Sequence, residues 1–111
     1  MTDYRELESY LEQKYNLTLM LSEYKNKLKV HNIISNEKNK GNGTNAMIEI
    51  VNYCNDNNLT LVLSPANKDD AHGTTSRNRL VKFYKRFDLI ENKGRNKDFT
   101  ISESMYKTPK N

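Results

Sequence analysis

A mixed α/β domain around one sheet is the fold class that the sequence predicts, and three observations predict it. Apolar residues recur at spacings of three and four in three segments, and at a spacing of two or in short continuous runs in others. Clusters of Gly, Asn, Asp and Pro separate these segments. The 111 residues suffice for one small hydrophobic core, with no internal repeat and no sign of a second unit.

The elements follow in order. Residues 3–15 carry Leu7, Tyr10, Leu11 and Tyr15 at helical spacing, which predicts an opening amphipathic helix with its acidic residues on the outer face. Leu17, Leu19 and Leu21 alternate with Thr18, Met20 and Ser22, and the apolar run 28–34 follows a polar turn at 25–27. Two strands so closely joined form an antiparallel hairpin. Residues 44–57 place Met47, Ile50, Val51 and Cys54 on one helical face. Leu59, Leu61 and Leu63 alternate with Thr60, Val62 and Ser64 up to Pro65, a strand expected to be buried on both faces. Residues 66–75 read as a loop, after which Ser76 can cap a helix whose apolar face is Leu80, Phe83, Tyr84 and Phe87. Leu89-Ile90 and residues 99–106 are expected as strands around a turn at 92–98, with Gly94 at positive φ, before a loose tail at 107–111.

Composition limits the function classes. The longest apolar run is too short to span a bilayer, and the N-terminus carries no signal-peptide pattern, so a soluble cytoplasmic protein is expected. The single cysteine, Cys54, falls on the apolar stripe of its helix and reads as core. The two histidines, the cysteine and the carboxylates show no metal-ligand spacing. The formal net charge is +4, and the basic residues gather at Arg77, Arg79, Lys82, Lys85 and Arg86, then at Lys93, Arg95 and Lys97. That distribution suits an anionic partner, either a phosphorylated cofactor or a nucleic acid.

The stretch Lys38-Asn39-Lys40-Gly41-Asn42-Gly43-Thr44 joins a predicted strand to a predicted helix. Glycines there can turn successive N–H groups towards one anion, and the helix N-terminus adds its own donors and positive dipole end. Lys38 and Lys40 add mobile charge, and the Thr44 hydroxyl is a further donor. The loop lacks the G-K-[ST] ending of a P-loop and the third glycine of the dinucleotide fingerprint. A flexible polar turn is the alternative reading of the same residues.

Two segments resemble one known family. The run Ile33-Ile34-Ser35-Asn36-Glu37-Lys38-Asn39-Lys40-Gly41-Asn42-Gly43 and the helix after it resemble the coenzyme A pyrophosphate loop of the GNAT N-acetyltransferase superfamily. That family's pattern is Gln or Arg, two residues, Gly, any residue, then Gly or Ala. Lys38 takes the first position with the charge of the arginine form, and Gly41 and Gly43 match. The segment Arg79-Leu80-Val81-Lys82-Phe83-Tyr84-Lys85-Arg86-Phe87 is similar to the family's last-helix signature, in which a tyrosine is followed four and five residues later by Gly and Phe. Tyr84 fits, while Asp88 and Leu89 stand where Gly and Phe would be.

The resemblance implies a compact, phage- or bacterial-type GNAT domain over residues 1–111, with an N-terminal helix at 1–16 and an acetyl-CoA-binding core at 17–106. About three helices would flank a mostly antiparallel sheet, with an N-terminus shorter than the usual family domain. It implies an N-acetyltransferase that moves the acetyl group of acetyl-CoA to a primary amine by direct attack in a ternary complex. In the family the strand before the loop splays from its neighbour and exposes backbone groups, here near Ile33 to Ser35. The resemblance puts the Tyr84 hydroxyl near the thioester sulfur, as acid. His31 is the candidate base, because imidazole exchanges protons near neutrality, with Glu23, Glu37 or water as alternatives. Ser76, Lys82 and Lys85 are candidate cofactor contacts, Ser76 serving equally well as a helix cap.

The acceptor, a small molecule or a protein amine, is not specified by these residues, and the shortened N-terminus points to a pocket that is reduced or completed by a second copy. The other reading is a GNAT-fold binding module, an inhibitor or adaptor whose basic last helix meets nucleic acid or an acidic protein.

Overall fold

A computed structural model describes residues 3–35, 41–65 and 77–110. Among them the order is α1 (Tyr4–Tyr15), β1 (Leu17–Tyr24), β2 (Lys27–Ser35), α2 (Asn42–Asp56), β3 (Thr60–Leu63), α3 (Arg77–Lys85), β4 (Ile90–Glu91), a 3-10 turn (Gly94–Asn96) and β5 (Met105–Lys107). The strands form one five-stranded sheet in the order β1-β2-β3-β5-β4. Only β2 and β3 are parallel, with α2 crossing between them, so the mixed α/β class and the mostly antiparallel sheet are as the sequence predicts.

Local chemistry sets each boundary. Asp3 caps α1 by accepting from Arg5 N–H and Glu6 N–H at 2.9 and 3.1 Å, and Asn16 ends the helix in the left-handed region. Lys25 and Asn26, at φ 50° and 63°, make the two-residue hairpin turn whose double positive φ matches strand twist. Leu17, Leu19 and Leu21, Leu28 and Val30, and Leu61 and Leu63 line one face, where they join Leu7 and Leu11 of α1, Met47 and Ile50 of α2, and Val81 and Tyr84 of α3 in a single core cluster. Val62 points to the other face and is still only 1% exposed. On that face its register partner Lys29 pairs with Glu103 at 3.1 Å, so the segment before β5 lies over it. Cys54 is buried in the core, and burial pushes its thiol up to about 12.

Two expectations are corrected. Glu8 and Glu12 do not face outwards: Glu8 Oε2 accepts Leu21 N–H at 2.7 Å and Glu12 Oε2 accepts Leu19 N–H at 3.0 Å. β1 is a sheet edge, its outward N–H groups need acceptors, and one i,i+4 pair on α1 supplies them. The double change Glu8→Ala with Glu12→Ala is expected to cost about 3 kcal/mol in urea denaturation. Sedimentation should also show the freed edge associating with rising concentration. An unchanged midpoint would mean that water serves those amides equally well.

The second correction is the predicted strand at 99–106, where only Met105–Lys107 is strand and Phe99-Thr100 is a turn. The reason is Asn92, 7% exposed, whose Nδ2 donates to Ile101 O and Glu103 O at 2.9 and 3.0 Å while its Oδ1 accepts Asp98 N–H at 2.7 Å. A side chain thus takes the backbone groups that a ladder would have used. Gly94 lies at φ +59°, as expected, and Lys107, assigned to the tail from sequence, is buried in β5 with its Nζ donating to Asn55 Oδ1.

Candidate cofactor site

The parallel pair defines an opening. β2 and β3 are aligned from Lys27↔Thr60 to Val30↔Leu63, where their ladder ends, yet β2 continues to Ser35 against β1 alone. The break coincides with a bulge: Met20 faces Asn32, Leu21 faces Val30, and His31 is the extra residue. The β3-facing side of residues 31–35, including Ile33, has left the β3 ladder, and this is the segment for which exposed backbone groups were expected.

The start of α2 stands at the carboxyl end of the same two strands, where α/β sheets place their ligands. Gly41 precedes it at φ +69°. Asn45 N–H is the first to find a helical acceptor, Gly41 O at 3.0 Å, so the amides of Asn42, Gly43 and Thr44 point out of the helix end, and among the described residues no side chain caps them. A Cβ at Gly41 would meet none of the described residues within 4 Å. Three N–H groups that no described side chain caps and the dipole of a 15-residue helix suit a pyrophosphate.

α3 closes the other side. Phe83 Cζ lies 3.9 Å from the position of a Gly43 Cβ, so the last helix packs on the first turn of α2. Phe83 stacks edge-on against Tyr84 and Phe87, with centroids 5.2 Å apart in both pairs. Tyr84 is 7% exposed, and burial pushes its phenol up to about 12, so it keeps its proton at neutral pH. Asp88, in the glycine position of the resemblance, adopts φ +70°, the conformation a glycine would supply, and Leu89 after it is buried.

Other expected residues separate. His31 is exposed, and its Nε2 is hydrogen-bonded at 2.8 Å to Oγ of Ser22, on the sheet face away from the leucine core. Tyr84 belongs to that core, so the two proposed proton carriers are on opposite faces. Glu23 is aligned with Leu28, about 20 Å of strand from Ile34, and interacts with Tyr53 at the far end of α2, which removes it as a base beside the opening. Lys82 is exposed, whereas Lys85 pairs with Glu91 at 3.1 Å. Glu37, Lys38, Asn39, Lys40 and Ser76 lie outside the described residues. Among the described residues no cluster of three His, Cys, Asp or Glu could hold a metal ion. The Phe83–Gly43 contact and the Ser22–His31 bond were missed from sequence, because both are tertiary and no spacing announces them.

Neither a protein-family model nor a curated protein matches the chain. Its fold is similar to that in a crystal structure of the anti-CRISPR protein AcrVA5, with a TM-score of 0.64 over 83% of this chain and 90% of that one, at 16% sequence identity. At that identity the likeness is one of fold, and function has to be argued from the site.

Proposed function

We propose that the chain is an acetyl-CoA-dependent N-acetyltransferase of the GNAT type, acting on a primary amine in the cytoplasm. The observation that carries this reading is the opening of the β2–β3 pair beyond Val30, together with an α2 start that no described side chain caps. When bound, acetyl-CoA supplies the activated acetyl thioester. The amides of Asn42, Gly43 and Thr44 hold the pyrophosphate as charge-assisted donors, and the Thr44 hydroxyl adds another. Backbone groups of residues 33–35, which the β3 ladder does not use, would hold the pantetheine arm. Tyr84 holds a phenolic proton at neutral pH and gives it to the departing thiolate. The amine's proton leaves through water, because His31 is bonded to Ser22 on the face opposite Tyr84.

A second reading keeps the fold without the reaction, as an inhibitor or adaptor that binds through basic α3. The exposed Lys82 and Arg86 support it, and a protein named as an anti-CRISPR protein shares the fold.

Calorimetric titration with acetyl-CoA at low and moderate salt, followed by turnover on a panel of amines, separates the two. Micromolar binding at both salts with turnover supports the transferase. Tyr84→Phe should then bind normally and turn over about 10²-fold more slowly or worse. Normal turnover in that variant would remove the acid assignment, and no binding at either salt would favour the inhibitor.

A further inference from the structure

The end of the molecule opposite the α2 start carries features that acetyl transfer does not use. Tyr24, at the β1–β2 turn, is 66% exposed, and Phe99 is 89% exposed. Burying a ring of that size is worth about 2 kcal/mol, and a small domain that leaves two in water gains nothing in folding from either. Each ring instead has ammonium groups over it. Lys25 Nζ and Lys27 Nζ lie 5.6 and 6.0 Å from the Tyr24 centroid, and Lys97 Nζ lies 5.6 Å from that of Phe99.

The two ring–lysine groups belong to the same sheet face. Tyr106 OH donates to Asn96 O at 2.5 Å, and Lys29 holds Glu103, which lays the 92–104 segment across the sheet face that bears Tyr24 and Lys27. Hydrogen bonds from Thr100, and then the charge of Lys27, hold the Asp98 carboxyl below its usual range. Of the acidic groups, Asp98 accepts from Thr100 and also faces the charge of Lys27, and Glu23 interacts with Tyr53. Lys25, Lys27, Arg95 and Lys97 form no ion pair within 4.0 Å among the described residues.

We propose that this end, formed by Tyr24, Lys25, Lys27, Lys97 and Phe99, binds single-stranded nucleic acid, with bases stacking on the two rings and phosphates meeting the lysines. Flat exposed rings bordered by cations match a chain that alternates aromatic bases with phosphates. A protein partner would instead call for a contiguous apolar patch, which two separate rings framed in charge do not provide. The surface is independent of the cofactor site and stands whether or not the chain is a transferase.

The test is fluorescence anisotropy of the full chain with a labelled oligothymidylate of about 15 nucleotides, at low and moderate salt. An abasic oligomer of the same length and polyglutamate serve as comparison ligands. Tyr24→Ala with Phe99→Ala should weaken oligothymidylate binding at least about tenfold. The thermal midpoint should not move, because the rings are outside the core. The abasic oligomer should bind correspondingly less well, and Lys25→Gln, Lys27→Gln and Lys97→Gln together should reduce the salt slope by about 2. No binding at low salt, equal binding of the abasic oligomer or of polyglutamate, or indifference to loss of both rings would each overturn the proposal.

Discussion

Gly41→Glu is expected to abolish acetyl-CoA binding while leaving the protein folded. Gly41 sits at φ +69° immediately before the amides of Asn42, Gly43 and Thr44, and a Cβ there would meet none of the described residues within 4 Å. The backbone strain is about 1–2 kcal/mol, a loss a folded domain survives. The binding loss has a different origin: a carboxylate in front of the helix end takes the position of the pyrophosphate, occupies its donors and repels its charge. Gly41→Asn separates the two effects, because asparagine tolerates the left-handed region and brings no charge. Calorimetry should show the glutamate variant silent and the asparagine variant still binding, with similar thermal midpoints for both. Retained binding in Gly41→Glu would move the pyrophosphate away from α2 and remove the central support for the transferase reading.

Asn92→Ala should be among the most destabilising single changes in the chain, at about 3 kcal/mol and a fall in thermal midpoint of about 10–20 °C. One side chain satisfies Ile101 O, Glu103 O and Asp98 N–H, and its own N–H donates to Ser104 O at 2.8 Å. Alanine keeps the last of these and strands the rest where water has little access. Asn92→Asp is a sharper control: it retains the acceptor for Asp98 N–H but turns a carboxylate oxygen towards two carbonyl oxygens, so it should do no better. A midpoint within about 2 °C of the parent for either variant would show that solvent replaces the amide. The face over Val62 and Lys29 depends on the same segment, so amide exchange there should accelerate with the loss of stability.

The elements with a strong period were legible in the sequence. α1, the hairpin, α2 and β3 follow from leucine and isoleucine spacing, and Cys54 and Gly94 sit where their chemistry put them. The C-terminal part was misread for a definite reason: residues 99–104 have the composition of a strand, but a remote amide at Asn92 outbids the ladder for their backbone groups. Glu8 and Glu12 were read as solvated because an acidic residue on a helix usually is, and only the arrival of an edge strand made them acceptors.

The candidate site divides in the same way. Local sequence determined its proposed phosphate end, since a glycine at positive φ and a helix start are enough to aim backbone donors outwards. Tertiary structure alone decided that β2 leaves β3 after Val30, that Phe83 closes over Gly43, and that His31 and Tyr84 occupy opposite faces of the sheet. Period and propensity act within a few residues, whereas pairing ends, ring contacts and sheet faces depend on residues tens of positions apart, whose meeting no local pattern encodes.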